Sequence, residues 1–65
     1  MRATKGVIEE ARRLANISKL PTTAVYQGNI AGMNCWNFYE ATNPKILRGE
    51  YGKPEVTALP DCWHD

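Results

Sequence analysis

The chain of 65 residues is poor in the side chains that enzymes use for nucleophilic and general-base catalysis. Ser18 is its one serine, and it stands where a helix is predicted to end. The one histidine, His64, lies in the C-terminal tail between Asp61 and Asp65. A Cys62–His64 pair would lack both an oxyanion hole and a third group to orient the histidine. The sequence therefore predicts a protein that is not an enzyme and that holds no cofactor.

Long apolar runs and an excess of one charge are also missing. No stretch approaches the roughly 18 apolar residues that a transmembrane helix requires. Charged residues at positions 9–13 interrupt the segment after the basic start, so no signal peptide is expected either. With a formal charge of +1, the chain is not drawn to nucleic acids or anionic membranes by its net charge. The expected location is the cytoplasm.

Cysteine is limited to Cys35 and Cys62, each of which precedes a tryptophan. Structural zinc sites usually present paired ligands two to four residues apart. Here Cys35 is isolated, and a single residue separates Cys62 from His64, so no metal site is expected. A Cys35–Cys62 disulfide would close a loop of roughly 28 residues and add about 3.5 kcal/mol of stability. A cytoplasmic location instead favours two reduced thiols.

The composition is that of one small folded domain, residues 1–65. Apolar residues make up 43% of the chain and charged residues 23%, a balance typical of folded rather than disordered proteins. A domain of this size buries only about 60% of the surface of its unfolded chain, so its stability is marginal. Pairing with a second copy is one of the usual ways in which such small domains gain stability. A chain of this size would suit an accessory gene product of a phage or mobile element.

Residues 4–19 have the pattern of an amphipathic helix. Thr4 can cap its N-terminus, and Pro21 ends it because the residue before a proline avoids the α region. Glu9 and Arg13 are four residues apart and are expected to form an exposed ion pair. The helix face directed at the core consists of Val7, Ile8, Ala11, Leu14, Ala15 and Ser18.

The rest of the chain is rich in β-branched and aromatic residues separated by Gly, Asn and Pro, which predicts strands and turns. The first strand is predicted over residues 22–27 and the second over 35–41. A turn is expected within residues 28–34. Its register stays open, because Gly28-Asn29 and Gly32-Met33-Asn34 are both plausible reversals.

A helix over residues 30–41 is the alternative to the second strand, although two glycines and three asparagines within residues 28–37 disfavour it. After the turn signal Asn43-Pro44, a third strand is predicted over residues 45–51 and a short fourth strand over 55–59. The predicted fold class is therefore α+β, with an N-terminal amphipathic helix packed on a three- or four-stranded antiparallel β-meander.

The predicted strands suggest where a partner would bind. Trp36 and Phe38 share one face of the second strand and are expected to pack on the helix, whereas Tyr39 lies on the other face. A single helix covers one face of a sheet, so the other face is left to solvent or a partner. Tyr, Trp and Arg are over-represented at interface hot spots. The candidate partner-binding residues are Tyr26, Tyr39, Arg48, Tyr51 and Trp63.

The sequence thus favours a non-catalytic protein-binding or regulatory module that binds another protein or a second copy of itself as a homodimer. The alternative is a small nucleic-acid-binding protein, whose sheet aromatics would stack on bases beside Lys45, Arg48 and Lys53. Glutamates near these basic residues weaken a phosphate-binding surface. Trp63 is expected to bury its ring against the helix–sheet core and so to anchor the C-terminal tail or, failing that, to pack into a neighbouring copy.

Overall fold

The computed structural model describes residues 2–63. Its elements, in chain order, are α1 (Lys5–Ser18), β1 (Thr22–Ile30), β2 (Met33–Glu40), α2 (Pro44–Leu47), β3 (Lys53–Ala58) and a single 3₁₀ turn (Asp61–Trp63). The three strands form one antiparallel sheet in the order β2-β1-β3. One long helix followed by this sheet confirms the predicted α+β class.

Thr4 and Lys19 set the two ends of α1. The side-chain oxygen of Thr4 accepts a hydrogen bond from the backbone N–H of Val7 at 3.3 Å, as expected of an N-cap. Lys19 adopts a left-handed conformation with φ 64° and donates its N–H to the Ala15 carbonyl at 2.8 Å. Pro21 then follows. The helix therefore begins and ends where its capping residue and proline predict.

The helix packs on β1 and β3 through small side chains. Ala11 and Ala15 are both 0% exposed, whereas Leu14 is only half-buried. Ser18, which was expected on the same face, is exposed. Two alanines one turn apart let the helix backbone approach the sheet closely, so the contact relies on close packing rather than on large apolar side chains.

Arg13 pairs with Glu10 rather than with Glu9 as predicted. Its Nε donates to Glu10 Oε1 at 2.9 Å, and its Nη2 donates to the second carboxylate oxygen. Residues three apart and residues four apart are both neighbours on the surface of a helix. The three-residue spacing of Glu10 and Arg13 allows the guanidinium and the carboxylate to form two hydrogen bonds. The hydrogen bond from Arg13 holds the pKa of Glu10 below its ordinary value. Because the pair is exposed, its effect on stability is small.

The hairpin of β1 and β2 is closed by a two-residue turn at Ala31 and Gly32. Their φ angles are 53° and 81°, as in a type I′ turn, whose twist matches that of the flanking strands. Ile30 pairs with Met33 across the turn. β1 therefore continues past residue 27, and β2 begins before residue 35, so both strands include residues that were predicted to form the turn. The alternative of a helix over residues 30–41 is wrong.

Residues 45–51 do not form the predicted third strand. The side chain of Asn43 accepts a hydrogen bond from a backbone N–H of α2 at 3.0 Å, and Pro44 occupies the first turn of this short helix. The Asn-Pro pair that was interpreted as a turn is thus a helix start. The strand predicted over residues 55–59 corresponds to β3, which is the third strand of the sheet.

The strand order differs from that of a meander, in which the third strand would pair with β2. Instead, β3 pairs with β1 and places Val56 opposite Ala24. The connection formed by residues 41–52 crosses one face of the sheet to reach that position, and on the way Tyr51 stacks on Tyr39 with ring centroids 4.6 Å apart. One face of the sheet therefore carries α1, and the other carries this connection.

Side-chain alternation sorts the strand residues between these two faces. Ile8 of α1 lines the same clefts as Val56, so the helix face of the sheet is the face that holds Val56 and its cross-strand neighbours Ala24 and Phe38. Val25 lies on the opposite, connection face. Ala24 and Val25 are both 0% exposed. The core therefore lies on both sides of the central strand β1.

Candidate functional site

The strand order leaves β2 at one edge of the sheet. β1 occupies the centre and β3 the other edge. β2 pairs with β1 along its inner side, and within residues 2–63 no strand pairs with its outer side. α1 packs mainly on β1 and β3, and α2 approaches β3. The helices therefore lie towards the opposite side of the sheet and leave the outer side of β2 accessible.

The hydrogen-bond pattern decides which backbone groups of β2 point outward. Ala41 donates its N–H to the Pro21 carbonyl at 2.9 Å, so these two residues form a hydrogen-bonded pair at the end of the β1–β2 ladder. Hydrogen-bonded and non-hydrogen-bonded pairs alternate in an antiparallel ladder. Trp36, Phe38 and Glu40 therefore lie in non-hydrogen-bonded pairs, and their backbone groups point away from β1. These three residues define the outer edge of β2.

One of these outward groups already has a partner. The Glu40 carbonyl accepts a hydrogen bond from the Asn43 N–H at 3.1 Å. Within residues 2–63, no backbone group bonds to the N–H and C=O groups of Trp36 and Phe38 or to the N–H of Glu40, so these groups remain for another strand. Backbone donors and acceptors that alternate in this way along an extended strand are the template for adding a strand to a sheet.

The two edges of the sheet differ in how they are protected against such pairing. Proteins block exposed edges with lysine, proline, charged side chains and bulges. β3 carries Lys53, Pro54 and Glu55, and Glu55 is the extra residue of a bulge in the edge strand itself. The pairing of β1 with β2 is also shifted once, but there the extra residue, Gln27, belongs to the central strand β1. β2 has no proline or lysine, and Glu40 is its one charged residue among eight. The outer edge of β2 therefore lacks the protection that β3 has.

Aromatic side chains lie on the helix face of this unprotected strand. Trp36 and Phe38 are half-buried, since α1 lies mainly over β1 and β3. The ring of Trp36 contacts that of Tyr26, with centroids 5.0 Å apart and planes inclined at 56°. The Tyr26 hydroxyl donates to Asn34 Oδ1 at 2.8 Å. These contacts hold the aromatic rings in place next to the outer edge.

The three tyrosines predicted to bind a partner lie on different faces of the sheet. Tyr26 lies on the helix face with Trp36, whereas Tyr39 and Tyr51 stack on each other on the connection face with their planes inclined at 22°. The Tyr51 carbonyl also accepts a hydrogen bond from Gln27 Nε2 at 2.7 Å. Tyr39 is the one of the three that belongs to β2. The structure therefore does not gather these residues into one patch.

Arg48 is engaged by a neighbouring acid. Its Nε lies 2.6 Å from Glu50 Oε2 in an exposed ion pair. Lys45 lies in α2, whereas Lys53 lies at the start of β3, two residues before Glu55. The basic residues that were considered for nucleic-acid binding are therefore interspersed with carboxylates.

Trp63 is 50% exposed, so the expectation that its ring is buried against the core is wrong. The tail is attached by a different contact. The Asp61 N–H donates to Asn16 Oδ1 at 2.7 Å, and Asn16 Nδ2 donates to Asp61 Oδ2 at 3.2 Å. This pair of polar contacts fixes the 3₁₀ turn to the side of α1 and leaves Trp63 half exposed to solvent.

The two cysteines lie in different surroundings. Cys35 is half-buried in β2 and Cys62 is exposed, and both are free thiols. Among residues 2–63, no three His, Cys, Asp or Glu side chains come close enough together to hold a metal ion. His64, which a single residue separates from Cys62, lies outside the described residues.

Two open clefts separate α1 from β3, and both are lined by Ile8 and Val56. Their charged lining residues are guanidinium and carboxylate groups, such as those of Arg12 and Asp61. In the described part of the chain, no histidine, cysteine or serine lines either cleft. The clefts therefore offer apolar and ionic contacts, and Thr57 adds one hydroxyl group to the lining of the second cleft.

The sequence pattern indicates the aromatic residues of β2 but not the outer edge of this strand. A meander would place β2 in the centre of the sheet, with both sides paired. One feature of the sequence does indicate the strand order. Lysine and proline at Lys53-Pro54 are typical of an edge strand, whereas residues 33–40 contain neither.

Comparison of the chain with protein-family models, curated proteins and solved structures finds no match. None of the helices within residues 2–63 is long and apolar enough to cross a membrane. The geometry of the sheet edge is therefore the observation that bears on function.

Proposed function

We propose that this protein is a non-catalytic protein-binding or regulatory module that adds an extended strand of its partner to the outer edge of β2. The observation that carries the proposal is the unprotected edge, with outward backbone groups at Trp36, Phe38 and Glu40. In strand addition, main-chain hydrogen bonds supply affinity, and alternate side chains supply specificity.

The side chains of the edge support this role. A partner strand that pairs with β2 would lay its alternate side chains next to Trp36 and Phe38 on the helix face. Cross-strand pairs that involve aromatic residues contribute roughly 0.2–1 kcal/mol each. Tyr39 provides a third aromatic ring on the connection face. The partner is therefore expected to be an extended segment with apolar residues at every second position.

The proposal is tested with a displayed library of short linear peptides, selected for binding to the whole protein. The protein is then made with a methyl group on the backbone nitrogen of Phe38, which removes one outward N–H but keeps the side chain. Peptide binding is expected to weaken by at least about tenfold, because the edge loses a hydrogen bond and gains a steric block. Affinity is measured by fluorescence anisotropy of the labelled peptides.

The matched control carries the same methyl group on the backbone nitrogen of Thr57. In the β1–β3 ladder, Thr57 pairs with Thr23 and its N–H points to the outer side of β3. This control is expected to bind the selected peptides like the unmodified protein. Equal binding by the Phe38 variant would contradict the proposal. Tight, salt-dependent binding of a mixed-sequence single-stranded oligonucleotide, with no selected peptide, would favour the nucleic-acid alternative instead.

A further inference from the structure

We infer that the strand which pairs with the outer edge of β2 is β2 of a second copy of this chain, so that the protein forms a twofold symmetric homodimer. This inference rests on the proposed function, because it names the partner of the same edge. The twofold axis would run perpendicular to the sheet and pass through Asn37. Such an axis makes the two strands antiparallel and keeps the helix face of each subunit on the same side.

The backbone geometry of β2 suits this axis. The two copies of β2 can form backbone hydrogen bonds only where residues whose N–H and C=O groups point outward lie opposite residues of the same kind. An axis at Asn37 places Trp36 opposite Phe38 of the partner subunit, and Phe38 opposite the partner's Trp36. Both residues direct their backbone groups outward, so each of the two pairs is a hydrogen-bonded pair that exchanges two bonds. The same axis aligns residues 34–40 of both copies.

The side chains are complementary in this register. On the helix face, each Trp36 ring lies across from a Phe38 ring, which forms two aromatic cross-strand pairs. On the connection face, Tyr39 lies across from Cys35 of the partner subunit. Glu40, the one charged residue of the strand, lies across from the partner's Asn34. No like charges face each other, so the strand satisfies the condition for pairing with its own copy.

The neighbouring registers are less favourable. An axis at Trp36 would place Phe38 across from Asn34 of the partner subunit and leave Glu40 beyond the paired region. An axis at Phe38 would pair only residues 36–40 of the two copies. The axis at Asn37 is therefore the register that matches apolar residues with apolar residues and uses nearly the whole strand.

The fold leaves space for a second copy beside β2, and the resulting dimer has no unprotected edge strand. Since α1 packs on β1 and β3, the two α1 helices would flank the new contact, and the Trp36 and Phe38 side chains would fill the groove between them. The joined sheet has six strands in the order β3-β1-β2-β2-β1-β3. Its outermost strands are the two copies of β3, which carry Lys53 and Pro54. Pairing therefore buries both unprotected edges and exposes only protected ones.

The inference is tested with two variants at the axis, Asn37→Lys and Asn37→Asp. Asn37 is exposed in the monomer, so both variants are expected to fold. Each variant places two like charges across the axis, which is expected to raise the dimer dissociation constant by about tenfold or more. Mixing the two variants in equal amounts brings opposite charges together and is expected to restore dimers. Sedimentation velocity over a range of concentrations measures the dissociation constants, and circular dichroism checks the fold.

Leu47 provides the matched control, because it is 84% exposed and belongs to α2 rather than to β2. Leu47→Lys and Leu47→Asp introduce the same charges and are expected to dimerise like the unchanged protein. Asn37 variants that dimerise equally well alone would overturn the inference. So would an unchanged protein that stays monomeric at every concentration. If that monomer still binds selected peptides in a way that methylation of the Phe38 nitrogen blocks, the proposed function stands without the homodimer.

Discussion

Replacing Gly52 with alanine is expected to lower the free energy of unfolding by about 3 kcal/mol or more. A Cβ atom at this position would lie 2.7 Å from the Tyr26 carbonyl oxygen and 2.9 Å from Cγ1 of Val25. Gly52 also has a φ of 133°, a conformation that residues with a side chain rarely adopt. The clash is with the backbone of the central strand, so the connection would have to lift off the sheet. Urea denaturation measures the loss.

Gly28→Ala is the control for this prediction. Gly28 has a φ of 112°, but nothing lies within 4 Å of the position that its Cβ would occupy. The control therefore carries backbone strain without the clash and is expected to lose about 1–2 kcal/mol. Since a domain of this size has a total stability of roughly 3–10 kcal/mol, the Gly52 variant is expected to lose about a third of that stability or more. Equal losses for the two variants would show that the connection does not press against β1.

Ala11→Asp is expected to cost about 3–5 kcal/mol, the second large effect. Ala11 is 0% exposed where α1 packs on β1 and β3, so the new carboxylate would be buried without a partner. Arg12→Asp is the control, because Arg12 is the next residue of the same helix and is exposed. It is expected to change stability by only about 0.5 kcal/mol. Thermal unfolding followed by circular dichroism compares the two, and similar melting temperatures would contradict the assigned helix orientation.

The local features of the fold could be predicted because short-range chemistry determines them. Thr4 and Pro21 mark the ends of α1, and side-chain alternation assigns Trp36 and Phe38 to one face of β2. The strand predicted over residues 45–51 is wrong because an Asn-Pro pair is compatible with both a turn and a helix cap, and Asn43 acts as a cap. The sequence offers no strong periodicity over four residues with which to distinguish a short helix from a short strand.

The candidate site was harder to predict, because an edge is a property of the strand order and not of a residue. The order β2-β1-β3 depends on contacts between residues far apart in the chain, such as Ala24 with Val56. The position of Trp63 has a similar origin. Its exposure follows from the Asn16–Asp61 contact, which joins residues 45 positions apart and is invisible in the local pattern.

Hydrogen exchange along β2, measured amide by amide by NMR, tests the central claim most directly. In dilute protein, the outward amides of Trp36, Phe38 and Glu40 are expected to exchange at least about tenfold faster than those of Asn37 and Tyr39, which donate to β1. When the edge is occupied, by concentrated protein or by a selected peptide, the outward amides are expected to become as protected as their neighbours. Uniform protection along β2 in dilute protein, or an alternation that persists unchanged when a partner is bound, would contradict the account.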